Sequence, residues 1–191
     1  HARVLRFNCC PVAAEFRAQA QGLSPNVNTE WRQRMADGYD PELCQPVFDS
    51  FRRNGTANVP THVTRRFDAM VEDSAYRNDP RARYIPADQW KAWNDDADGT
   101  IAADPSPAGR ASRVDFYRTG LRATGDAFRA GVRVILGTDS GDSYIFPGFA
   151  VHDELEELVK AGLTPAEALH AATLAGAEFL GRSDDFGTVE V

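Results

Sequence analysis

Three observations predict an α/β fold. Residues 132–136, Val-Arg-Val-Ile-Leu, form a near-continuous apolar run rich in β-branched residues that ends abruptly in Gly137-Thr138-Asp139-Ser140-Gly141. Such a run is expected of a parallel strand buried on both faces. A helical pattern precedes it and another follows it, the rhythm of βαβ units. Asp139 then falls just past the strand's carboxyl end, where parallel α/β folds place their chemistry. A plain turn aspartate beside two flexible glycines is the competing reading.

The 191 residues suffice for one core of ordinary size. With 42% hydrophobic and 26% charged residues, the chain reads as globular. Its net charge is −7, and arginine carries nearly all the positive charge, because the only lysines are Lys91 and Lys160. An acidic chain with no basic stripe argues against a nucleic-acid partner. No apolar run is long enough to span a bilayer, so no membrane partner is expected. The compartment stays open between cytoplasm and periplasm. Cys9, Cys10 and Cys44 are too few and too unevenly spaced for a disulfide scaffold or a zinc knuckle, and Cys9 and Cys10 read as packing thiols.

Taken in order, residues 1–7 could end a strand, and residues 11–21 have weak helical character through Val12, Phe16 and Ala20. Asp40-Pro41 is a helix start, with a capping oxygen and then proline at the first helical position. Leu43, Val47, Phe48 and Phe51 would face inward from that helix, Pro46 should kink it or shift its true start, and Asn54-Gly55 ends it. Residues 56–63 are the second strand candidate. Residues 64–110 are too long for a plain connection and read as an insertion or lid with some helix of its own. Asn94-x-Asp96-x-Asp98-Gly99 starts like a calcium loop, but Pro105 occupies the closing glutamate position, and Asp95-Asp96-x-Asp98 reads as a solvated loop. Ser112-x-x-Asp115 reads as a capping box before a helix that turns Val114, Tyr117, Leu121 and Phe128 inward. After Pro147-Gly148, a helix should bury Val151, Leu155, Leu158 and Val159. Thr164-Pro165-Ala166-Glu167 is the strongest cap in the chain and opens an alanine-rich helix. Residues 185–191 begin a turn and a strand.

Gly137-Thr138-Asp139-Ser140-Gly141, Pro147-Gly148, His152-x-Glu154-Leu155, residues 161–169, Ala171-Ala172-Thr173 and Gly187-Thr188-Val189-Glu190 follow in an order typical of one family. Over residues 131–191, and again near Val59-Pro60-Thr61-His62, the chain resembles the carboxyl-terminal part of a metal-dependent amidohydrolase of the imidazolonepropionase and dipeptidase-like kind. The resemblance implies part of a TIM (β/α)8 barrel, roughly strands six to eight with their helices. Residues 1–191 would form a portion of a single domain, with 64–110 as a lid at the strand-seven end. Strands one to five would lie outside this stretch, making the remainder of the barrel a partner.

The resemblance also implies one or two divalent metal ions, most naturally zinc, and attack of an activated water on a C–N bond. Asp139 matches the strand-eight aspartate, a ligand and proton acceptor, and His1 matches the strand-six histidine ligand. Near the mouth, His62 would face a small amide or peptide-like substrate or else pack in the core, and Arg65 and Tyr144 would hold a carboxylate or carbonyl oxygen of that substrate or else face solvent. No His-x-His pair is present, and neither lysine falls at a strand end. His152 is not part of a His-Glu-x-x-His pattern and reads as a helix-face residue, and His170 reads as structural. Two rivals stand beside the amidohydrolase: an interaction module or homo-oligomer that pairs through exposed sheet edges, and a metal-free hydrolase using Asp139 with Glu154.

Overall fold

In the computed structural model, which describes residues 8–19 and 28–188, 65% of the chain is helical and no strand is formed among the described residues. This corrects the expected partial TIM barrel with strands six to eight. The extended segments around Asn58 and Val134 run parallel and meet at a single bridge. The Asn58 N–H donates to the Arg133 carbonyl at 2.8 Å, and the Ile135 N–H donates to the Asn58 carbonyl at 3.0 Å. Neighbouring groups then go elsewhere. The Val132 N–H bonds the Ala127 carbonyl, and the Leu136 N–H bonds the Ala171 carbonyl. Pro60 has no N–H to extend a ladder, and Thr61 turns left-handed at φ 48°. The candidate strand 56–63 therefore stops early, and His62 already begins a helix.

The helices described are, in chain order, α1 (Ala13–Gln19), α2 (Thr29–Asp37), α3 (Pro41–Arg53), α4 (His62–Met70), α5 (Ser74–Arg77), α6 (Ala87–Ala103), α7 (Pro107–Arg129), α8 (Ala150–Lys160), α9 (Pro165–Ala172) and α10 (Leu174–Phe179), with a 3-10 turn at Pro80–Tyr84. The caps explain many of the starts. The Asp40 carboxylate accepts from the Glu42 N–H ahead of α3, and Thr164 and Glu167 form a reciprocal capping box at α9. α7 begins at Pro107 under a Ser106 cap, so Ser112 lies inside the helix, where its hydroxyl donates to the Gly109 carbonyl.

α7 is the central helix, packed by α2, α3, α4 and α8. Its most buried stripe is small and polar: Ser112, Gly120, Ala123, Thr124, Gly125 and Ala127. The larger Val114, Tyr117, Leu121 and Phe128 are only half-buried. Small residues let backbones approach closely, and a Cβ at Gly125 would stand 2.0 Å from the Ala161 carbonyl oxygen. α3 buries Cys44 and Phe48, whereas Leu43 is exposed. α8 buries Ala150, Glu154, Glu157 and Leu158 and leaves Val151 and Val159 exposed. The cysteines also differ from expectation, because Cys9 and Cys44 form a buried disulfide, and Cys10, outside it, is buried.

Candidate functional site

The two extended segments send their following residues to one side, where they border a polar cleft of about 650 Å3. Three elements line it. α4 gives Thr64, Arg65, Phe67 and Asp68, α6 gives Gln89, Ala92, Trp93, Asp96 and Thr100, and the turn after Asp139 gives Gly141, Asp142 and Ser143. The wall from α6 follows from helical spacing, since residues 89, 93, 96 and 100 share one face. Residues 64–110 are thus helical along most of their length and furnish two of the three walls of the cleft. Asp96 stands in α6, so the run 95–98 is helix and not a solvated loop.

Backbone strain falls close in sequence to two walls of this cleft, on three residues that do not themselves line it. Thr61, Asp139 and Tyr144 have φ of 48°, 50° and 61°, and they are the non-glycine residues with positive φ among the described residues. Each such conformation costs about 1–2 kcal/mol outside glycine. Asp139 lies on the exposed turn that closes when its carbonyl accepts the Asp142 N–H at 3.1 Å. Gly137, just before it, packs so tightly that a Cβ there would stand 2.5 Å from Val59 Cγ1.

The residues expected at the mouth occupy different places. Arg65 lines the cleft, with Nη1 donating to Asp68 Oδ2 at 2.5 Å and Nε donating to Thr64 Oγ1 at 3.3 Å. Tyr144 is buried behind the wall, where its hydroxyl donates to Asn94 Oδ1 at 2.8 Å and its ring stacks on Phe67 and Trp93. His62 is fully buried on the other side of α4, with Nε2 2.9 Å from Thr124 Oγ1 of α7. His1 lies outside the described residues. His152 and His170 are exposed on α8 and α9.

Glu154 is committed to the fold rather than to a pair with Asp139. Its two carboxylate oxygens accept the His62 and Val63 N–H groups, each at 2.9 Å, and so satisfy the first turn of α4. Burial pushes this carboxyl up to about 8, against the pull of those two N–H groups. One turn along α8, buried Glu157 accepts from Tyr117 and pairs with Arg66 at 3.3 Å and Lys160 at 2.8 Å. Arg66 and Arg81 also converge on Asp153, at 3.0 and 2.9 Å. These bonds brace the helix that carries Arg65.

Among the described residues, no group of three or more His, Cys, Asp or Glu side chains could hold a metal ion. Zinc takes three or four protein ligands. Asp139 offers one carboxylate, so the described residues do not by themselves compose a metal cradle. Sequence reasoning missed Asp68, Gln89, Trp93, Asp96, Asp142 and Ser143 as cleft residues. The one signal available was the helical spacing of 89, 93, 96 and 100.

The amidohydrolase family matches residues 55–191, more than half of the chain, a span that contains every residue of the cleft. The chain belongs to the amidohydrolase family. Its members are hydrolases and are generally metal-dependent. No curated protein and no solved structure matches the chain.

Proposed function

We propose that this protein hydrolyses a C–N bond of a small molecule, an amide, cyclic amide or dipeptide, in the polar cleft. Asp139 is the carboxylate that takes the proton of the attacking water. What supports this reading is one juxtaposition. The cleft is lined by residues that follow two parallel extended segments, and three strained non-glycine residues, Asp139 among them, lie within three residues of that lining in the sequence. Strain of this kind persists where the surrounding structure over-determines it, and it clusters at active sites.

In this reading Arg65 touches the substrate, since N–H groups beyond those bound to Asp68 and Thr64 can be offered to a carbonyl oxygen. Tyr144 and His62 hold the walls in place, and residues 64–110 act as the lid. A divalent ion, zinc first, is the cofactor. Asp139 and His1 are the two donors the sequence offers it, and the remaining ligands have to come from beyond the described residues.

The test is turnover of N-acyl amino acids, cyclic imides and dipeptides by the protein and by its Asp139→Asn variant. Asparagine tolerates the left-handed backbone as well as aspartate does, so the fold should survive. Turnover should drop about 10²-fold or more. A variant with turnover near wild type at saturating zinc would refute the role of Asp139.

A further inference from the structure

The charge pairing around the cleft is uneven. Arg65 is the one guanidinium in its lining, and Asp68 holds it at 2.5 Å with both side chains about three-quarters or more buried. The remaining charged groups of the lining are Asp96 and Asp142, which form no ion pair among the described residues. The contrast within α6 is informative. Asp95 is taken by Lys91 at 2.5 Å and Asp98 by Arg77 at 2.9 Å. Asp96, the member of that run that lines the cleft, pairs with no cation among the described residues.

Asp96 and Asp142 come from different walls, one from a helix and the other from the turn after Asp139. A group bound in the cleft would therefore meet carboxylates from two elements. Trp93 and Phe67 add aromatic lining; both are buried with one face on Tyr144, so they offer the cleft an apolar ring edge beside the carboxylates. Neutral donors and acceptors on Thr64, Gln89 and Ser143 complete a lining with an excess of two negative charges. An anionic ligand would meet that excess with its one compensating guanidinium already engaged.

We infer that the cleft takes a small molecule bearing a cationic nitrogen group, an amidinium, guanidinium or ammonium, held by Asp96 and Asp142 beside Trp93. This assignment names the substrate class for the hydrolytic site proposed above and rests on that reading for the reaction, though not for the binding.

The experiment measures binding of benzamidinium, benzamide and benzoate, which share shape and differ in charge, to the whole protein by calorimetry and tryptophan fluorescence at millimolar ligand. Benzamidinium should bind about tenfold more tightly than benzamide, and benzoate most weakly, as expected when two solvent-accessible charge contacts add modestly. Asp96→Asn and Asp142→Asn should each weaken benzamidinium about threefold, and together they should erase its preference. Both residues are exposed and form no ion pair among the described residues, so neither change should disturb the fold. Asp95→Asn, which removes a carboxylate already held by Lys91 outside the cleft, should leave binding unchanged. Equal or tighter binding of benzamide or benzoate, no binding of any of the three, or an Asp95→Asn effect as large as that of Asp96→Asn would overturn the inference. Selective benzamidinium binding by a protein that cleaves no amide would uphold the inference and defeat the hydrolase reading.

Discussion

Replacing Glu154 by alanine should destabilise the protein by about 3–5 kcal/mol. The change strands two buried N–H groups at the start of α4, each worth about 1–3 kcal/mol when orphaned, and it opens a small cavity. Glu154 is fully buried, and its oxygens lie 2.9 Å from both donors, so nearby water has no route to replace them. For a chain of this size, each kcal/mol shifts the thermal midpoint by about 2–4 °C, which puts the expected loss at roughly 10 °C. Glu154→Gln keeps one acceptor and turns an NH2 toward the other donor, so it should cost less, about 2 kcal/mol.

The same carboxyl gives a pH signature. Its folded pKa of about 8 stands above the ordinary 4.5. Between those values the native state keeps a proton that the unfolded state has released. Stability should therefore be highest below the lower value, decline as pH rises through the window, and level off above about 8. The slope can reach about 1.4 kcal/mol per pH unit at most. Glu154→Gln lacks this contribution, so the difference between wild type and variant isolates it. Thermal unfolding followed by circular dichroism across that range is the assay. A midpoint in Glu154→Ala within a few degrees of wild type, or a wild-type advantage over Glu154→Gln that grows with pH through the window, would refute the reasoning.

Two further changes probe the packing. Gly125→Ala should cost about 3 kcal/mol, because its Cβ would meet the Ala161 backbone oxygen at 2.0 Å, whereas Gly99→Ala, with nothing within 4 Å, should gain roughly 0.5–1 kcal/mol of helix propensity; urea unfolding of both variants checks the opposite signs. Reducing the Cys9–Cys44 disulfide, which closes a loop of sequence separation 35, should remove about 4 kcal/mol by loop entropy, read as a lower denaturation midpoint with reductant present.

Local chemistry was legible in the sequence where it depends on neighbours along the chain. The caps at Asp40-Pro41 and Thr164-Pro165-Ala166-Glu167 stand as their residues predict. Which face a helix buries was less legible, because it depends on the partner. α7 turns inward a stripe of glycine, alanine, serine and threonine that an apolar template cannot see. α8 buries Glu154 and Glu157, acceptable only because α4 presents two N–H groups to one and Arg66 meets the other. The apolar run at residues 132–136 has the composition of a strand, but a strand also needs a ladder, and Asn58 supplies a single bridge. Arg65 was recognisable as a cleft residue from its place after the second extended segment. Asp96 was not, since its meaning depends on which of three neighbouring aspartates finds a cation.

The ion pairs and hydrogen bonds that fix α4 have a consequence for the order of assembly. The cleft draws its walls from residues 64–68, 89–100 and 141–143, and the start of α4 is tied to a carboxylate 92 residues away. Closing so long a loop is entropically costly and is repaid only after its ends meet. The backbone hydrogen bonds inside the long helices α6 and α7, by contrast, join residues about one turn apart, and local contacts of this kind form early. Helical content and the cleft therefore rest on contacts of different range: helix hydrogen bonds join near neighbours along the chain, whereas the wall from α4 is set only where Glu154 meets its first turn.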